Sequence, residues 1–154
     1  MIQRIQTIWL ALTSILSALL CSETILNFSD KSGIYYSLEF SGIFRNDAGS
    51  HDLAERTILV SVLLVFISVL SLVSLALFKK RKLQERIVMV IIFFSLCLLG
   101  MILYYSLHII NTYDAKPVFS FKMFYPLFLV LFSLLSYRGI SKDEKLIKSY
   151  DRLR

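Results

Sequence analysis

Two long runs of this chain carry no charged side chain, Thr57–Phe78 and Ile87–Ile110. A bilayer's hydrocarbon core is about 30 Å thick and is crossed by roughly 20 apolar residues at 1.5 Å of rise each. Both runs are that long. Two weaker segments flank them. Ile5–Leu26 is broken near its end by Glu23, and Val118–Tyr137 contains Lys122 and Pro126. Lys122 lies close enough to an end to snorkel to the headgroups. Pro126 falls in the first turns of a helix, where its missing N–H costs least. Composition agrees: 56% of the 154 residues are hydrophobic and only 18% are charged, against about 25% charged in soluble domains. The expectation is an all-α membrane protein, a four-transmembrane-helix bundle forming a single membrane domain. Its spans are about 5–26, 57–78, 87–110 and 118–137. A disordered chain, a coiled coil and a nucleic-acid-binding domain are excluded despite a net charge of +6.

The first segment has a basic start and an apolar stretch, as a signal peptide would. The run Ala18-Leu19-Leu20-Cys21 places a large residue before the cysteine, which argues against lipoprotein cleavage, and no A-x-A-like site follows. It reads as an uncleaved span. Four spans put both termini on one side. That side collects twelve of the 17 Lys and Arg residues, at position 4, in the turn 79–86 and in the tail 138–154. The other side holds Lys31, Arg45, Arg56, Lys116 and Lys122. Short loops rich in Lys and Arg stay in the cytoplasm. The termini, the turn and the tail are therefore expected in the cytoplasm of a bacterial inner membrane, and the 27–56 loop outside. Aromatics gather at the outer boundary (Phe28, Tyr104, Tyr105, Tyr113, Phe119, Phe121, Phe124, Tyr125) as an interfacial belt, while Trp9 and Tyr137 mark the inner one.

Within lipid, helices associate by close packing of small residues and by hydrogen bonds. Thr7, Ala11, Ser14, Ala18 and Cys21 recur at helical spacing as a small-residue seam, and Ser61, Ser68, Ser71 and Ser74 form a rougher one. Such seams serve the bundle itself or receive a partner's helix. No charge lies near the middle of a span, which argues against a coupled transporter or channel. Glu23 and His108 both approach the outer boundary, where they could meet. Cys21 and Cys97 lie at different depths and read as small packing residues.

In the outer loop, Ile34, Tyr36, Leu38 and Phe40 alternate with Tyr35, Ser37, Glu39 and Ser41, a period-two pattern bracketed by Gly33 and Gly42. That predicts a small extracytoplasmic β element, with Val118–Phe121 as a candidate partner strand. His51 and Glu55, four apart, would share a helix face. Without three or four converging ligands they make no metal site, and acids at a helix start are expected. No catalytic constellation, cofactor motif or metal motif is legible.

In the tail, Ser141-Lys142-Asp143-Glu144 has the form of a capping box. Leu146, Ile147, Tyr150 and Leu153 then make an apolar stripe, flanked by Arg152 and Arg154. The spacing predicts a short amphipathic helix following the fourth span, resting on anionic headgroups or docking a cytoplasmic protein.

The opening Met1-Ile2-Gln3-Arg4-Ile5-Gln6-Thr7, the turn Arg81-Lys82-Leu83-Gln84 and the closing Lys142-Asp143-Glu144-Lys145-Leu146 with Ser149, Asp151, Arg152, Leu153 and Arg154 resemble the domain of unknown function 4293 family. The resemblance implies a small bacterial protein with four membrane helices, and it brings no activity and no catalytic residues. The function expected is that of a non-enzymatic subunit or scaffold of a membrane complex. It would bind other membrane proteins through its helix seams, or a cytoplasmic protein through its basic tail. The alternative is a small membrane enzyme or lipid-handling protein with an outer-interface site around Glu23, His51 and His108.

Overall fold

A computed structural model of the protein describes residues 3–22, 24–30, 33–47, 50–77 and 80–152, with side chains between 7 and 143. It is mostly helical and carries a small antiparallel sheet. Helix α1 (Gln3–Ser22) leads into strands β1 (Leu26–Ser29), β2 (Tyr35–Leu38), β3 (Gly42–Asp47) and β4 (Ser50–Arg56). Helices α2 (Ile58–Ala76) and α3 (Arg81–Tyr113) follow. Strand β5 (Lys116–Val118) and a single 3-10 turn (Phe121–Phe124) precede α4 (Tyr125–Arg152). Three stretches, Ile58–Ala76, Arg81–Tyr113 and Phe121–Asp143, are long and apolar enough to cross a membrane, the make-up of a membrane protein. The apolar stretch of α1, Thr7–Ser22, is shorter.

The helices form an up-down-up-down ring in which α1 packs on α2 and α4, and α3 packs on the same two. Their outward faces are apolar: Ile58, Leu59, Val62, Phe66, Val69 and Leu72 on α2 alone are more than two-fifths exposed. No soluble monomer leaves so continuous an apolar stripe bare. Acyl chains are the solvent this surface fits.

Five expectations are corrected. The helix of the first expected span stops at Ser22, and Leu26 belongs to β1. From Leu26 the chain alternates apolar and polar (Leu26, Asn27, Phe28, Ser29), and period two wins over continued helix. The fourth helix does not begin at Val118. Lys116–Val118 instead pairs with β1, Asn27 opposite Val118, and Pro117 suits an edge strand that needs few N–H donors. Pro126 is the second residue of α4, where its missing N–H costs nothing. The turn expected at 79–86 shrinks, because α3 already begins at Arg81 and Gln84 Nε2 donates to the Ser74 carbonyl at 3.1 Å, tying it to α2. The tail holds no separate helix. Ser141 is an interior residue of a continuous α4, since between Arg138 and Arg152 there is no proline, and Gly139 alone costs only about 1 kcal/mol. Phe28, finally, is not an interfacial aromatic, being 1% exposed in the core.

The sheet has the order β4-β3-β2-β1-β5. The single strand that the alternation from Ile34 to Ser41 suggests is instead two, β2 and β3, because the chain folds back between Leu38 and Gly42 and pairs Leu38 with Ile43. Gly42 is required there. A Cβ would lie 2.4 Å from the Glu55 carbonyl oxygen, so β3 and β4 could not approach. α3 ends at Asp114, whose backbone is left-handed (φ 48°). Asp tolerates that conformation, and the turn sends the chain straight into β5.

Candidate interaction surfaces

Strand alternation gives the sheet two chemically different faces. Leu26, Phe28, Tyr36, Leu38 and Ile43 share the inner face by register and are buried with Leu20, Ile102 and Ile109 of the helices. The sheet is thus a cap seated on the end of the bundle where α1 and α3 finish. Each such side chain contributes about 1.5–3 kcal/mol of hydrophobic burial. Tyr36 adds a stack on Tyr113 of α3 at 4.5 Å. The Ser61 hydroxyl of α2 donates to the Phe40 carbonyl and ties the β2–β3 turn to the bundle.

Past Ile43 the inner face turns polar. Arg45 lies opposite Asp52, and its Nη2 donates to Asp47 Oδ2 at 3.1 Å. Glu55, opposite Ile43, places Oε1 3.2 Å from His108 Nε2 of α3. The Thr112 hydroxyl stands 3.5 Å from His108 Nδ1, and the Tyr104 ring lies parallel at 6.5 Å. Both members of the Glu55–His108 pair are more than a third exposed, so the pair contributes at most about 1 kcal/mol. Its meaning is positional, because it joins the edge strand of the cap to the third helix. Glu23, the partner expected for His108, lies outside the described residues.

The outer face carries a separate polar group. Asn46 Nδ2 donates to Ser37 Oγ at 3.3 Å, and Ser37 Oγ donates to Glu39 Oε1 at 3.2 Å. His51 Nδ1 bonds Asn46 Oδ1, His51 Nε2 lies 3.8 Å from Glu39 Oε1, and the imidazole stacks on Phe44 at 4.3 Å. His51 and Glu55 are on a strand, not the helix face that their spacing suggested. Between them β4 carries one residue more than β3, since Phe44 faces Leu53 while Ile43 faces Glu55. That bulge turns the two side chains to opposite faces. His51 and His108, two of the three residues expected at one outer site, accordingly engage different carboxylates. No group of three or more His, Cys, Asp or Glu side chains that could hold a metal ion occurs among the described residues.

In the bundle the expected first seam lies at the margin of the buried stripe. Ser14 is buried, Ala11 and Cys21 are half-buried, and Thr7 and Ala18 are exposed. The stripe itself runs Leu10, Thr13, Ser14, Ser17 and Leu20. Two apolar clusters are set apart along the bundle axis. Leu10, Val88 and Ile140 form one, near the tail end, and Ile67, Leu98 and Leu129 belong to the other, under the cap. Between them every buried position of α1, from 13 to 17, is a hydroxyl. The other buried serines of the bundle are Ser71 and Ser74 on α2, Ser95 on α3, and Ser133 and Ser136 on α4. The second seam expected from the sequence, in α2, names two of these. The matching serines of α4 were hidden by the Phe-rich run in which they stand.

At the opposite end, the apolar part of α4 closes at Asp143, and the helix continues to Arg152. Nine further residues at 1.5 Å carry it about 14 Å beyond. The side chains of Leu146, Ile147, Tyr150 and Arg152, and the whole of Leu153 and Arg154, lie outside the described set.

Residues 2–153 match the model of a family described as a domain of unknown function, DUF4293. No curated protein and no solved structure matches the chain.

Proposed function

The chain belongs to the DUF4293 family, and we propose that it is a non-enzymatic subunit or scaffold of a bacterial inner-membrane complex. It crosses the bilayer four times, with both termini cytoplasmic and the five-stranded cap outside. The observation that carries this reading is the uninterrupted run of α4. A helix anchored in lipid by Phe121–Asp143 extends rigidly past its apolar part as far as Arg152. In the sequence, Leu146, Ile147, Tyr150 and Leu153 recur at helical spacing. A helix fixed at its base presents such a stripe at little entropic cost, the condition for specific docking. From Lys142 onward the segment carries five basic and three acidic residues, a mixture that suits a protein surface better than a uniformly anionic headgroup layer.

The test is purification of the full chain in mild detergent, as wild type and as the double variant Leu146→Glu, Tyr150→Glu. A stoichiometric partner should accompany the wild type and be lost with the variant, while both forms keep the same helical content. Two forms that each run as the lone chain would overturn the reading.

A further inference from the structure

We infer that the outer face of the cap, the face turned away from the helices, is a binding platform for a neutral carbohydrate chain. Directly opposed residues of antiparallel strands point to the same face. The register therefore lays one row across all five strands: Lys116, Ser29, Tyr35, Asn46 and His51. Neighbouring strands lie about 4.8 Å apart, so the row runs roughly 19 Å. At its middle stands an exposed aromatic ring, Tyr35 at 57%, next to the Asn46 amide. The side chains of His51, Asn46, Ser37 and Glu39 form one chain of hydrogen bonds with a single direction. His51 Nδ1 donates to Asn46 Oδ1, since an amide oxygen only accepts. Asn46 Nδ2 donates to Ser37 Oγ, and Ser37 Oγ donates to Glu39 Oε1. Ser37, at the centre, is 3% exposed. Phe44, stacked on the imidazole with 4° between the planes, fixes the tilt of the His51 ring.

That chain leaves two acceptors side by side. With its proton on Nδ1, the neutral imidazole offers a lone pair at Nε2. Nε2 and Glu39 Oε1 stand 3.8 Å apart, too far for a hydrogen bond between them. Fixing four polar side chains on a wet face loses rotamer entropy, and the bonds between them return little, because water offers the same bonds. Such order serves a ligand that meets the groups already in place. The ligand that fits donates two hydroxyl protons from adjacent carbons, one to Glu39 and one to His51, and accepts from the second N–H of Asn46. It also lays C–H groups on the Tyr35 ring, whose π-face is negative. A sugar ring carries all of these together, and the row across the strands is long enough for a linear oligosaccharide. A nucleic-acid backbone would need cations along the row, where Lys116 alone of the five is basic. A metal ion would meet two ligands where it needs three or four. This reading rests on the sheet and is independent of the partner proposed for α4.

The test is isothermal titration calorimetry on the full chain in lipid nanodiscs. Maltohexaose, cellohexaose and chitohexaose are the probes, with a single-stranded DNA oligomer and zinc ion for comparison. At least one of the hexasaccharides should bind saturably. Tyr35→Ala removes the stacking face, and Glu39→Gln removes a charged acceptor at equal size. Each should weaken that binding about tenfold or more. Asp52→Asn, on the inner face, should leave it unchanged. Failure of every hexasaccharide to bind, or saturation by DNA or zinc alone, would overturn the inference. So would binding that both outer-face variants retain in full, or that Asp52→Asn weakens as much as they do.

Discussion

Lys142→Pro separates a continuous α4 from a tail that starts afresh at Ser141. If Ser141 capped a second helix, Lys142 would be its first residue, where proline is favoured and costs nothing. In the continuous helix Tyr125–Arg152 the same proline removes the bond from residue 142 to the carbonyl of Arg138. Its ring also clashes with that carbonyl, at a cost of about 3 kcal/mol. At 1.4 kcal/mol per factor of ten, the straight form falls by on the order of a hundredfold. Lys142 is exposed, so no core contact is lost and the effect is one of backbone alone. Spin labels on Leu134→Cys and Ser149→Cys, in a background with Cys21 and Cys97 replaced, read the outcome. A straight helix holds the label sites about 22 Å apart in a narrow distribution, which the proline should shorten and broaden. A distribution unchanged by Lys142→Pro would refute the continuous helix, and with it the rigid projection on which the docking proposal stands.

Phe28→Ala empties a fully buried position beneath the sheet and should destabilise the cap by about 3–5 kcal/mol. Hydrogen exchange across 26–56 would rise while exchange in α2 and α3 stays slow. Gly42→Val cannot keep the β3–β4 spacing, because its Cβ would sit 2.4 Å from a backbone oxygen. Limited proteolysis within 42–56 should accelerate severalfold in the variant alone. A double-mutant cycle of Glu55→Gln and His108→Phe, read by thermal unfolding, should return a coupling of no more than about 1 kcal/mol, given the exposure of both groups. A larger value would mean that the pair is shielded from water. Tyr35→Cys and Lys142→Cys should label on opposite faces of sealed vesicles with an impermeant maleimide. Labelling from the same face would overturn the four-span topology.

The spans were legible because a charge-free run of bilayer length has few alternatives in water. Thr57–Phe78 and Ile87–Ile110 announced α2 and α3 by absence of charge alone. The ends of the spans were harder. At Leu26 and Val118 apolar character continues while the backbone changes from helix to strand, and hydropathy does not register that change. The alternation around Tyr36 pointed to a β element, but one strand of its sheet lies far along the chain: Asn27 faces Val118. Pairings across such separations leave no local periodicity. The link from His108 to Glu55 was invisible for the same reason, and a one-residue bulge then placed His51 and Glu55 on different faces. The capping-box motif at Ser141 was a true sequence match overruled by context, since an existing helix needs no new nucleus.

The pairing of β1 with β5 brings together residues that leave the ribosome some ninety positions apart. Both α2 and α3 are made before the last strand of the cap exists. During synthesis β1 can join β2 but keeps one bare edge until Lys116–Val118 arrives at the same end of the bundle. A third helix that ran the other way would carry β5 to the far end of the bundle and leave that edge open. The sheet thus closes only when the α2–α3 pair has brought β5 back beside β1.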